Sequence, residues 1–305
     1  MKKISIGNGE IQASEIALGC MRIADMPVDK VSQLINTALD EGINFFDHAD
    51  IYGGGKSEEI FAKAIDMKSS IREKMIIQTK CGIRDGYYDF SKEHIIEAVN
   101  GSLKRLNTDY IDILLLHRPD ALMEPEEVAE AFTILHSSGK VRYFGVSNQN
   151  PLQMELLSKY LNQKIIIDQL QLSITNTGMI DSGINVNTEN DGAIDRDGGV
   201  LDYCRLKDIT IQAWSPLQYG CFQGVFLNND KFPELNKKID EIAAKKGVTN
   251  TAIAFAWILR HPAKIQAIAG TTNVKRLKDI CKASDIELTR QEWYEIYKAA
   301  GNKLP

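Results

Sequence analysis

Eight times along this chain a short, largely apolar run is followed by a stretch whose apolar residues recur at helical spacing. The runs are EIALG, INFF, MIIQ, IDILLL, VRYFGV, KIIIDQLQL, ITIQAW and IQAIAG. They lack the strict alternation of a half-exposed strand, which suits parallel strands covered on both faces. Between them, Val31, Leu34, Ile35, Ala38 and Leu39 line one helical stripe, and Ile95, Val99, Leu103 and Leu106 another. Ser91 is placed to cap the second stripe, and Asn150 followed by Pro151 opens a later helix. Eight strand–helix units in 305 residues predict an α/β chain folded as one (β/α)8 TIM barrel domain over residues 1–305. A doubly wound sheet is the competitor, and the absence of GxGxxG after the first run disfavours it.

Two additions frame the repeat. KISIG, NGE and IQAS read as a hairpin able to plug one end of the barrel. Thr289 with Glu292 forms a capping box for an extra C-terminal helix. One stretch fits no unit: residues 175–199, rich in Gly, Asn and Asp, read as a long surface loop on the rim that carries the chemistry.

Polar groups of complementary chemistry stand where the runs end. Asp47 closes INFFD, Tyr52 follows in a loop with three glycines, Lys80 closes MIIQTK, and His117 follows IDILLL. In a barrel these ends share one rim. His48, beside Asp47, is read either as a wall of the substrate pocket or as packing behind its strand.

The bulk numbers narrow the partners. The chain is 44% apolar and 25% charged, with a formal net charge of -5 and no long single-sign run, so neither nucleic acid nor a membrane surface is expected as partner. No apolar leader begins it and no run reaches the length of a membrane span, so a cytoplasmic enzyme is expected. Five cysteines without a CxxC pair suit reduced thiols, and no histidine pair has metal-ligand spacing, so no metal is expected. Nothing in the sequence sets an oligomeric state.

With Asp47, Tyr52, Lys80 and His117 in this order, the chain resembles the aldo-keto reductases, in particular bacterial members whose motifs read SKCGI, LLxHRPD, SGKVxxFGVSN and NQ(V/L)xxS. Here they stand as TKCGI, LLLHRPD, SGKVRYFGVSN and DQLQLS, within a likeness running from about Gly19 to about Asp279. The resemblance implies a reductase that moves hydride from NADPH to a small-molecule aldehyde or ketone. It places the general acid on Tyr52, its lysine on Lys80, the lysine's carboxylate on Asp47 and the carbonyl-orienting histidine on His117. An ammonium beside Tyr52 should favour the phenolate and lower the pKa of the phenol, while Asp47 keeps the ammonium oriented. His117 would donate to the oxygen where charge gathers.

The same resemblance implies a cofactor stretched across the rim. It assigns Ser147, Asn148 and Gln169 to the carboxamide, Trp214 to the nicotinamide ring, and Ser215, Pro216 and Leu217 to the pyrophosphate. Gly19, Cys20, Met21 and Asp47 fall to the cofactor as well. GTTNVKRL matches the adenosine-phosphate segment, with Gly270, Thr271, Thr272 and Arg276, and an arginine at a helix start favours NADPH over NADH. Many members carry a lysine where this chain has Gly270. Asp279 would sit near the adenine. Substrate choice falls to loops around residues 23–26, Tyr87, Tyr88, 176–198 and 219–227. Two other functions fit such a barrel: a nicotinamide-binding regulatory subunit like the potassium-channel β subunits, and a phosphate-ester isomerase.

Overall fold

Eight parallel strands close on themselves in the computed structural model, which describes every residue except Asn8, Glu10, Asp66, Lys68 and Pro305, and the side chain of Ser69. In chain order the strands are β1 (Lys3–Ile6), β2 (Ile11–Ser14), β3 (Ile16–Gly19), β4 (Phe45–Asp47), β5 (Ile76–Cys81) and β6 (Ile111–Leu116). There follow β7 (Val141–Ser147), β8 (Ile165–Gln171), β9 (Thr210–Trp214), β10 (Gln218–Tyr219), β11 (Gly224–Val225) and β12 (Gln266–Ala269). Strands β3 to β9 pair in sequence, and β12 closes the ring between β9 and β3.

The helices are α1 (Val28–Asp40), α2 (Lys56–Ile65), α3 (Ser69–Arg72), α4 (Lys92–Leu106), α5 (Pro125–Ser137) and α6 (Pro151–Tyr160). The second half adds α7 (Gly178–Ile184), α8 (Val200–Leu206), α9 (Pro233–Lys246), α10 (Asn250–Leu259), α11 (Val274–Cys281) and α12 (Arg290–Ala299). The expected caps form. Ser91 accepts from the His94 amide, and Asn150 with Gln153 and Thr289 with Glu292 make reciprocal capping boxes. Among the described residues no helix is long and apolar enough to cross a membrane.

Apolar residues separate into two bodies. The larger lies between the strands and the surrounding helices, and includes the α1 and α4 stripes named above. The smaller fills the barrel, where Phe45, Ile113, Leu115 and Ile268 meet Ile4, Ile6 and Ala13 of the β1–β2 hairpin. The hairpin is thus the plug its sequence promised, because its alternate apolar residues complete the inner core.

Three expectations shift. The second barrel strand runs to Asp47 and the third to Cys81, so Asp47 and Lys80 lie within strands and not after them. Residues 175–199 are not structureless: they hold α7 and a short turn of 3₁₀ helix at Asp191–Ala193. Met179 and Ile180 are buried there, while Tyr297 donates to Asp181 at 2.6 Å and Asn302 to Thr177 at 3.1 Å. Two apolar residues are too few for a visible helical period, and the tethers come from the chain's far end. The segment up to Leu227 also contains the small antiparallel hairpin β10–β11.

The extra helix α12 is fastened by a reciprocal pair. Trp257 and Trp293 stack with centroids 4.6 Å apart and planes 9° from parallel, and each indole N–H donates to the other's backbone carbonyl, at 3.1 and 3.0 Å. Trp293→Ala removes a ring that is almost wholly buried and leaves a carbonyl without its donor. The expected cost is about 3–5 kcal/mol, measurable as a lower urea midpoint; an unchanged midpoint would mean that α12 is not part of the cooperative unit.

Candidate active site

Strands β4 and β5 are neighbours, with Asp47 opposite Gln78, so Asp47 and Lys80 emerge side by side at the carboxyl end of the barrel. Lys80 is fully buried and its ammonium meets three oxygens: Asp47 Oδ1 at 2.7 Å, the His48 carbonyl at 2.7 Å and Tyr52 Oη at 3.2 Å. An ammonium has three protons, so each finds an acceptor. Tyr52 is turned toward it by the tight Tyr52–Gly55 turn. Gly53 there has φ 60°, and a Cβ on it would lie 2.4 Å from that of Ala24; only glycine satisfies both demands. His117 follows β6, its amide bonded to the Cys81 carbonyl at 2.9 Å, and its ring stands edge-on to Tyr52 with centroids 6.0 Å apart. The four sequence-predicted groups therefore converge.

Their electrostatics differ in one respect from expectation. Burial favours a neutral Lys80, but the Asp47 charge and the hydrogen bonds to Asp47 and Tyr52 outweigh it and raise the pKa of the ammonium. Tyr52 was expected to be lowered. It is raised, because burial outweighs the nearby ammonium and the Asp47 charge acts in the same direction as burial. The phenol therefore keeps its proton, which suits a donor. Burial first, then Lys80 and Arg118, pushes His117 well below the usual histidine range, so its ring is neutral and can donate one hydrogen bond.

Beneath these groups lies a relay that sequence reading missed. Gln78 and Gln169 each donate to Asp47 Oδ1, at 2.6 and 3.0 Å, and each donates its other proton to Gln212 Oε1, at 2.8 and 2.9 Å. Gln212 donates to Gln266 at 2.8 Å, and Gln266 donates to the Ser14 carbonyl in the plug at 2.6 Å. All four glutamines are buried. Because a carboxylate and a carbonyl bound the relay, the direction of every amide is fixed. The amide protons of Gln169 are both engaged inward, which leaves its oxygen for the cavity it lines. A signal was present: Gln78, Gln212 and Gln266 each interrupt an apolar run.

Above the relay opens a cavity of about 500 Å³, lined by Tyr52, His117 and Asp47. Of the residues assigned to the cofactor, Gly19, Met21, Ser147, Asn148, Gln169, Trp214, Ser215, Pro216, Leu217, Gly270, Thr271 and Arg276 also line it. Cys20 and Thr272 do not; Cys20 is wholly buried and Thr272 faces outward. Gly19 is required by close approach, since a Cβ there would lie 2.9 Å from Ile268. Asn148 receives the Trp214 indole N–H at 3.1 Å and donates to Ser147 at 2.7 Å, which ties three of these residues together. At the start of α11, Asn273 already accepts the Arg276 amide and Thr271 the Asn273 amide. The expected anion site there consequently rests on the Arg276 side chain more than on free amides.

Arg22, given no role in the sequence reading, lines the same flank and donates to the Gly270 carbonyl at 3.2 Å. It brings a guanidinium to the place where Gly270 supplies no charge. Arg118, Phe222 and Val225 also border the cavity. Several expected pocket walls do not: Tyr87 and Tyr88 are exposed elsewhere, Ile23 is in the core, and Asn176, Gly178, Ile194 and Asp197 border a separate depression beside Asn148. His48 packs edge-on to Phe61, 4.5 Å between centroids, behind its strand and outside the cavity.

The sequence profile of the Aldo/keto reductase family matches residues 15–300. An uncharacterized oxidoreductase of Bacillus subtilis, YcsN, is 36% identical over 320 aligned positions, covering all of both chains. A 6-dehydroglucose reductase of Agrobacterium fabrum is 33% identical over 99% of each. Among solved structures, an aldo/keto reductase from Klebsiella pneumoniae in complex with NADP and acetate superposes with TM-score 0.80 at 24% identity, covering 99% of this chain and 97% of that one.

His48 gives the site a measurable acid response. Burial, aided by Lys80, lowers it from 6.5 to about 3. A lowered folded value means stability that is complete above about pH 6.5 and is lost as acid protonates the unfolded chain, down to about pH 3. Between about pH 7 and pH 4.5 the protein is expected to lose roughly 2–3 kcal/mol more than His48→Phe, by urea unfolding. Equal losses would show that His48 does not resist protonation.

Proposed function

The chain belongs to the Aldo/keto reductase family, and on that premise we propose that it reduces a small-molecule aldehyde or ketone with NADPH, Tyr52 supplying the proton. The observation that carries this reading is the 3.2 Å hydrogen bond from a fully buried Lys80 to Tyr52 Oη, with Tyr52 and His117 facing one cavity.

NADPH, when bound, supplies the hydride. His117 holds the carbonyl oxygen with the single hydrogen bond a neutral imidazole can donate. Tyr52 passes its proton to that oxygen as negative charge develops, and the Lys80 ammonium supports the phenolate left behind. Asp47 and the His48 carbonyl keep Lys80 from moving away. The Gln169 oxygen and the Ser147–Asn148 pair would meet the carboxamide, Trp214 the ring, and Ser215, Pro216 and Leu217 the pyrophosphate. Gly19, Met21, Gly270 and Thr271 would shape the remaining groove. Arg276 and Arg22 favour the extra phosphate that distinguishes NADPH. The Klebsiella neighbour's NADP and the reductase named among the relatives support the same reading.

The test is NADPH oxidation with a panel of aromatic aldehydes and diketones. Tyr52→Phe is expected to lower kcat at least about 100-fold while NADPH affinity, read by indole fluorescence, stays within about threefold. Tight cofactor binding by the unaltered protein without turnover of any carbonyl would instead mark a nicotinamide-binding regulatory subunit.

A further inference from the structure

We propose that Arg118 sets the substrate class of this cavity, and that the preferred carbonyl compound carries a carboxylate on an apolar body; this rests on the reductase reading above. Arg118 follows His117 directly at the carboxyl end of β6 and lines the cavity. Its guanidinium lies 5.5 Å from the centroid of the Trp214 indole.

Among the cations that line the cavity, Arg118 is the one that neither bonds a protein acceptor nor stands on the flank read as the cofactor's. Arg72, Arg84, Arg105, Arg142 and Arg205 each pair with a carboxylate of the protein. Among the described residues, none lies within ion-pair distance of Arg118 and no protein acceptor takes a hydrogen bond from it. Asp47 is the one carboxylate among the lining residues, and its Oδ1 already receives Lys80, Gln78 and Gln169. Of the other lining cations, Arg22 is bound to the Gly270 carbonyl and Arg276 belongs to the start of α11, both on the flank read as the cofactor's.

Beside Gln218, four apolar side chains border the same cavity. Ile51, Ile83, Phe222 and Val225 come from the loops after β4 and β5 and from the β10–β11 hairpin, and none was assigned to the cofactor. A substrate entering there displaces water from a guanidinium that has five N–H donors and, among the described residues, no hydrogen-bond acceptor. A carboxylate matches that planar fork with two parallel bonds and restores what the lost water supplied. A neutral substrate leaves the charge poorly solvated. One cation is also too few for a phosphate dianion, which makes the monoanionic carboxylate the better fit.

The experiment compares 3- and 4-formylbenzoate with their methyl esters, using the full chain with NADP+ present and dissociation constants read by titration calorimetry. The unaltered protein is expected to bind at least one acid about 10–100-fold more tightly than its ester. Arg118→Met should bring that ratio close to one, and Arg118→Lys should restore part of it, with melting temperatures showing that both variants are folded. An acid-to-ester ratio near one in the unaltered protein, or a ratio that survives in Arg118→Met, overturns the proposal. NADPH oxidation with the same four compounds is measured alongside. A carboxylate preference without oxidation sinks the reductase reading while the anion site stands.

Discussion

A single ammonium group, fully buried and given three oxygens, organises the carboxyl end of this barrel. Lys80 could not be charged in such a place alone, because removing an ion from water costs far more than one contact returns. Asp47 offsets that cost, the His48 carbonyl fills a second position, and Tyr52 takes the third. The geometry is thus set by satisfying a cation, and the Tyr52 phenol is one of the groups that satisfy it. That is why burial can raise the Tyr52 pKa without loosening it.

Satisfying Asp47 creates a second requirement deeper in the barrel. Its Oδ1 takes Lys80 and two glutamine amides, and those amides need a further acceptor, which Gln212 provides. Polar groups in an apolar interior must be matched one by one, so the demand passes to Gln266 and ends at a backbone carbonyl in the plug. The inner core is therefore divided: Phe45, Ile113, Leu115 and the hairpin's aliphatic residues fill it by volume, and a thread of amides crosses it by direction.

Much of this was legible in the chain. The eight apolar runs specify parallel strands because both faces are covered, and the helical stripes and caps are local signals that need no tertiary knowledge. The positions of Asp47, Tyr52, Lys80 and His117 at run ends suffice to bring them to one rim. The relay was not legible, since a glutamine inside a strand shows its role only when the facing strands are known. Likewise α7 is held by Tyr297 and Asn302, more than 100 residues further along, and the raised Tyr52 pKa depends on how completely its hydroxyl is covered. Cys20 shows the opposite error, because a family position names a residue without saying which way its side chain points.

The bond from Gln266 to Ser14 joins positions 252 residues apart. On a ribosome the plug emerges long before the amide that secures it. Until then Gln212 has no acceptor for its outer proton, and β12 has not yet closed the ring. The nascent polypeptide can accumulate strand–helix units one after another, but the orientation of its innermost dipoles waits for the last strand to be made.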